Sequence, residues 1–142
     1  MEIKLVLNKE SIIPLVWDVF LEYVGNTYSE EGKQEFYQSI TDKQYLDRLT
    51  IYGAYENGVL NGIIASRNNG NYIALFFVDS SFQGKGIGRA LLNCITKENQ
   101  SGFLFVNSSP YAVPIYEHFG FKKVYHEQCV NGIRFIPMML SL

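Results

Sequence analysis

The chain has 142 residues, 47% of them hydrophobic, which suits one globular domain with a substantial core. Its 12 basic and 14 acidic side chains leave a formal charge of −2, which argues against general nucleic-acid binding, since that usually needs a basic surplus or stripe. Met1-Glu2-Ile3-Lys4 is too charged for a secretory leader, and no apolar run approaches the roughly 18 residues of a membrane span.

Cys94 and Cys129 lie in no metal-binding or redox spacing, and His118 and His126 have no partner pattern. The expectation is a cytoplasmic protein, monomer or homodimer, with free thiols, no metal, and neither a membrane nor a nucleic-acid partner.

Ile3 to Leu7 suggests a first strand. Apolar residues at Ile12, Leu15, Val16, Val19, Phe20 and Tyr23 recur at helical period, and Gly25-Asn26 stops that helix. Ser29-Glu30-Glu31 reads as a cap with acidic first-turn residues, opening a second helix through Ile40. A short helical stretch follows around Tyr45 to Leu49. Asn57-Gly58 sits between apolar runs 51–56 and 59–66, the signature of a tight hairpin whose central residues need positive φ. Tyr72 to Asp79 is the next strand, and Ile87, Ala90, Leu91, Cys94 and Ile95 stripe a helix to about Glu98.

Phe103 to Val106 is a short apolar strand. Ser109-Pro110 fits an N-cap and first helical position, although Pro114 then requires a kinked helix or a late start. The predicted helix runs to Phe119 and ends at Gly120. Phe121 to Val130, Asn131-Gly132 and Ile133 to Leu140 form a second Asn-Gly hairpin. The order β-α-α-β-β-β-α-β-α-β-β predicts one α/β domain over residues 1–142. Its sheet is mixed and mostly antiparallel, with six to seven strands, helices on both faces, and one parallel pair around the strand–helix–strand crossover.

Between the Tyr72–Asp79 strand and its helix lies Gln83-Gly84-Lys85-Gly86-Ile87-Gly88. Alternate glycines leave amides uncovered where a helix begins, and those first amides carry the positive end of the helix dipole. Lys85 and Arg89 add charge beside a turn suited to phosphate or pyrophosphate. A P-loop needs Ser or Thr after the lysine, where Gly86 stands, and a dinucleotide turn needs glycine where Arg89 stands. The third pattern, Q-x-x-G-x-G, is met by Gln83, Gly86 and Gly88.

This resembles the acyl-CoA-binding motif of the GNAT superfamily of N-acetyltransferases. Asn107-Ser108-Ser109-Pro110-Tyr111-Ala112 through Tyr116-Glu117-His118-Phe119-Gly120-Phe121 resembles that family's final motif, and the element order matches over nearly the whole chain. The resemblance implies a splayed parallel strand pair and acetyl-CoA as cosubstrate. It places the pyrophosphate on the amides of Gln83, Gly84, Lys85, Gly86, Ile87, Gly88 and Arg89. It lays the pantetheine along the backbone of Phe77, Val78 and Asp79, with Asn107 reaching in from the other strand.

The implied reaction is attack of a neutral primary amine on the thioester, with Tyr116 as the proton donor to departing sulfur. The strand before the turn carries no acid, since Asp79 caps the turn, so no general base is assigned. The first two helices and the last hairpin shape the acceptor groove in this fold, making Glu22, Tyr28 and Tyr125 candidates, with Tyr23, Phe36 and Tyr37 as further walls. The acceptor stays open between a small-molecule amine and a protein or peptide amine. Two alternatives accompany this reading: a CoA-binding sensor or accessory module with little or no catalysis, and an acyltransferase using a longer acyl-CoA.

Overall fold

The computed structural model describes residues 1–142 and contains one eight-stranded sheet. Strand β1 (Glu2–Leu5) precedes a 3-10 turn over Lys9–Ile12 and helix α1 (Ile13–Tyr23). Helix α2 (Glu30–Thr41) opens on Ser29, whose hydroxyl accepts the Gly32 N–H at 3.1 Å, as the capping pattern predicts. Helix α3 (Lys43–Asp47) opens on Asp42, whose carboxylate accepts the Gln44 N–H at 2.9 Å. Strands β2 (Thr50–Glu56) and β3 (Val59–Arg67) then form the first Asn-Gly hairpin, with φ of 51° at Asn57 and 79° at Gly58.

After β4 (Tyr72–Val78) come helix α4 (Ile87–Glu98), strand β5 (Phe103–Ser108) and helix α5 (Val113–His118). The Pro114 conflict resolves by a late start. Ser109 and Pro110 close a separate turn through Ala112 N–H, and Pro114 occupies the first turn of α5, where its missing N–H costs nothing.

The expected single strand over 121–130 is instead two, β6 (Lys122–Lys123) and β7 (Gln128–Val130), each paired with β8 (Ile133–Ser141). The chain leaves the sheet between them, which raises the expected strand count to eight. The order is β1-β2-β3-β4-β5-β8-β6, with β7 also against β8.

Alternation along β3 sorts the core into two layers. Ile64 belongs to the layer under α4 and α5, with Leu91, Ile95, Leu104, Tyr116 and Met138. Its neighbour Ile63 belongs to the layer under α1, α2 and α3, with Val16, Ile40, Leu46 and Leu75. Each such fully buried Leu or Ile contributes ~2–5 kcal/mol against truncation to Ala.

Two details of this packing set up a site. Every neighbouring strand pair in the sheet is antiparallel except β4–β5, whose parallel register holds only at Tyr72↔Phe105 and Ile73↔Val106. Beyond Ile73 the two strands diverge, so the C-terminal half of β4 has no strand on that side. At the same level α4 starts close to β3, because Gly62 has no side chain. A Cβ there would lie 3.2 Å from Ile87 Cγ2 and 3.3 Å from Val78 Cγ2.

Candidate active site

A cleft of about 540 Å³ runs through the β4–β5 divergence from one face of the sheet to the other. On the α4 side it is lined by Gln83, Gly84, Gly86, Gly88 and Arg89. Unlike α2 and α3, helix α4 has no side-chain cap; its N-cap position is Gly86, at φ 82°. Gly84 is likewise left-handed, at φ 78°. The amides of Gly84, Lys85, Gly86, Ile87, Gly88 and Arg89 find no acceptor in the protein, and the first helical bond is Ala90 N–H to Gly86 O at 3.1 Å. A run of unpaired donors at a helix N-terminus, beside Lys85 and Arg89, fits a diphosphate.

The turn is braced from within. The Gln83 side-chain amide donates to Val78 O at 2.9 Å, and the Asp79 carboxylate accepts the Ser81 N–H at 2.9 Å, which is the capping role expected of Asp79. Lys85 extends its ammonium over the Phe82 ring at 5.3 Å, and the Arg89 guanidinium lies over Phe119 at 4.8 Å. Gly88 faces the same rings, and a Cβ there would make ordinary van der Waals contact with Phe119 Cζ at 3.4 Å and Phe76 Cζ at 3.6 Å.

The Asp79 N–H donates to Asn61 O on β3 at 2.8 Å, and Phe77 stands opposite Ile63 in the same register. Backbone groups alternate along a strand, so Phe77 and Asp79 are committed to β3 while Phe76 and Val78 present theirs to the divergence. Of the backbone positions the family resemblance assigns to pantetheine, Val78 therefore faces the cleft and Phe77 and Asp79 do not. Phe76, which the resemblance does not name, turns its backbone to the divergence through the register of β4 on β3. Phe77 contributes its ring instead, 6.0 Å from Phe36.

In the middle of the cleft Tyr116 comes from α5 and Asn107 from β5. Tyr116 is 7% exposed, with its ring 6.1 Å from Phe76 and edge-on to Phe121 at 5.2 Å. Burial raises its phenol pKa well above the ordinary 10, so the hydroxyl is protonated throughout the physiological range. At the α1–α2 end the walls are Val19, Phe20, Tyr23, Val24, Tyr28 and Phe36. Burial pushes the Tyr28 phenol up to about 12. Tyr23 stacks on Tyr111 at 5.2 Å, joining α1 to the β5–α5 loop across the cleft mouth.

A profile described as the acetyltransferase (GNAT) domain matches residues 24–142. The chain belongs to the GNAT acetyltransferase family. Solved structures agree at the level of fold. A GCN5-related N-acetyltransferase from Rhodopseudomonas palustris superimposes with a TM-score of 0.83 at 17% identity, over 99% of this chain and 95% of that one. The PaiA N-acetyltransferase of Thermoplasma acidophilum, solved with coenzyme A, gives 0.70 at 17% identity over the whole of both chains. The ribosomal-protein-S18-alanine N-acetyltransferase of Escherichia coli gives 0.63 at 18%, over 99% of this chain and 92% of that one. Comparison with curated protein sequences finds no significant match.

Within this GNAT chain the sequence-predicted groove residues separate. Tyr23, Tyr28 and Phe36 line the cleft. Glu22 is exposed on α1, outside the lining, where it neighbours the Tyr23 hydroxyl. Tyr125 is 59% exposed in the excursion between β6 and β7, against His126 and away from the cleft. That position follows from the break in the expected strand. Tyr37 lies outside the lining, edge-on to Trp17 at 4.9 Å. No helix is long and apolar enough to cross a membrane.

Proposed function

We propose that this GNAT protein transfers an acetyl group from acetyl-CoA to a primary amine by direct attack, with both substrates bound at once. The observation that supports this best is the continuity of one cleft from the uncapped α4 amides, through the β4–β5 divergence, to the wall that carries Tyr116. The coenzyme A in the Thermoplasma relative's structure makes the same ligand the reasonable occupant of this turn.

In this reading the amides of Gly84 to Arg89 receive the diphosphate oxygens, and Lys85 and Arg89 offset their charge. The backbone groups of Phe76 and the N–H of Val78, whose carbonyl is already taken by the Gln83 side chain, hold the pantetheine arm as an added strand, and the side-chain amide of Asn107 offers a contact from the β5 side. A backbone N–H of this stretch donates to the thioester oxygen as its charge grows. The amine nitrogen bonds to the carbonyl carbon, the carbon–sulfur bond breaks, and the nitrogen passes its surplus proton to solvent water at the open end of the cleft. The sulfur leaves as thiolate. Because the phenol of Tyr116 is a far weaker acid than a thiol of pKa ~8.5, it stabilises the thiolate by hydrogen bonding and keeps its own proton.

A thermal-shift series tests the reading. Acetyl-CoA raises Tm by several degrees while NAD and ATP at the same concentration do not. Equal shifts with all three would sink the assignment of the turn. Thiol release that depends on an added amine then reports transfer.

A further inference from the structure

The acceptor end of the cleft is apolar, with aromatic rings set among Val19 and Val24. Phe20 and Phe36 stack at 4.2 Å and 14°, Tyr28 meets Phe20 edge-on at 5.0 Å, and Phe77 closes the row beside Phe36. No Asp or Glu lines any part of the cleft, and its arginine, Arg89, sits at the opposite, diphosphate end over Phe119. The acids carried by the same two helices point outward: Asp18, Glu22, Glu30 and Glu31 are exposed, and Glu30 pairs with Lys33 at 3.2 Å. Glu35 accepts from Asn131 on the distant hairpin.

Such a chamber discriminates by desolvation. A polycation or a lysine ammonium entering it would lose hydration and gain no counter-charge. An uncharged aromatic body would instead bury apolar area and stack on the wall. The same environment disfavours the ammonium form of any amine held there and so lowers its pKa. That supplies the neutral nucleophile for which the family resemblance offered no carboxylate base.

We propose that the acceptor is a primary amine on an uncharged aromatic body, bound against Tyr28, Phe36 and Phe77, with buried Phe20 backing them, and delivered to the thioester as the neutral amine. This rests on the acetyltransfer reading above and names its substrate class.

The chain carries its own reporter. Its one tryptophan, Trp17, stacks behind this wall, 5.3 Å from Phe20 and 6.5 Å from Phe36. With the full-length protein saturated in coenzyme A, titration with phenylethylamine shifts or quenches Trp17 emission saturably, while putrescine, kanamycin and an Ala-leading peptide leave it flat. In steady state with acetyl-CoA, kcat/KM for phenylethylamine exceeds that for each cationic or peptide acceptor by at least tenfold. Its rise with pH follows the amine.

Phe36→Leu keeps apolar volume but loses the ring. It raises KM for phenylethylamine about tenfold and leaves KM for acetyl-CoA unchanged. Tyr28→Phe, which retains the ring, leaves the ranking of acceptors intact. A preference for putrescine, kanamycin or the peptide, or no aromatic acceptor at all, would overturn the proposal while acetyl-CoA still stabilises the protein. Loss of that stabilisation would overturn the acetyltransfer reading along with it.

Discussion

The side-chain amide of Gln83 and the carbonyl oxygen of Val78 are joined by a 2.9 Å hydrogen bond, so the first residue of the glycine motif is fastened to the strand it leaves. Gln83 thereby fixes where the following amides point, and its side chain is a brace for the turn. Gln83→Ala removes a solvent-accessible bond worth about 1 kcal/mol to the fold, so Tm changes little. Coenzyme A affinity, measured by calorimetry, falls five- to tenfold because the loosened turn must be ordered on binding. Wild-type affinity in the variant would refute the bracing role.

Much of this turn was legible from the amino acids alone, and the reason is local. Gly84 and Gly86 have to be glycine for backbone reasons that sequence displays directly, as do the Asn-Gly turns at Asn57 and Asn131. Helices α1, α2 and α4 announce themselves by period. What failed to show was set by tertiary geometry. Whether Phe76 or Phe77 offers its backbone to the cleft depends on the register of β4 against β3, which no local pattern encodes. Tyr125 left the groove because β6 and β7 are separate strands. Glu22, plausible by position, lies on the outer side of α1, one step along the helix from Tyr23, which lines the cleft.

Gly86→Val tests the amide cradle. At φ 82° any side chain costs roughly 1–2 kcal/mol, but a Cβ there meets no atom within 4 Å, so the protein folds with a modest loss of Tm. The branched side chain then covers the adjacent amides. The acetyl-CoA-induced rise in Tm disappears. An undiminished rise would place the diphosphate elsewhere.

Tyr116→Phe keeps the ring contacts with Phe76 and Phe121 and removes only the hydroxyl. Acetyl-CoA KM stays within about twofold of wild type, while kcat falls on the order of tenfold or more, the size expected for a hydrogen-bond donor to the departing sulfur. Unchanged kcat in single-turnover measurements would take Tyr116 out of the reaction.

Alkaline stability follows from the same phenols. Burial raises the pKa of Tyr28 to about 12 and that of Tyr116 further, whereas the unfolded chain titrates near 10. Above pH ~10 the folded state therefore holds more protons than the unfolded state, so stability falls with rising pH. The contribution is complete below pH ~10 and is lost from there through about 12. Denaturant midpoints are flat across pH 7–9 and decline beyond 10. Tyr116→Phe makes that decline shallower, and an identical decline would show that the phenol is not buried as described.

Gly32 and Gly132 tie the last hairpin to the acceptor side of the cleft. A Cβ on Gly32 would stand 2.2 Å from Gly132 O and 2.6 Å from its carbonyl carbon, and both are backbone atoms that cannot rotate aside. Around this contact Ser29 N–H donates to Gly132 O at 3.4 Å, and the Glu127–Arg134 pair, at 2.9 and 3.1 Å, stiffens the hairpin. Gly32→Ala therefore pushes the hairpin off α2, at about 1–3 kcal/mol and a Tm loss of several degrees. Gly32 lies on α2 one turn before Phe36 and shortly after Tyr28, both in the acceptor wall. The displacement raises acceptor KM several-fold and leaves acetyl-CoA KM unchanged, because the turn at Gly84 to Arg89 is anchored independently through Val78. A parallel rise in both constants would show that the hairpin shapes the whole cleft.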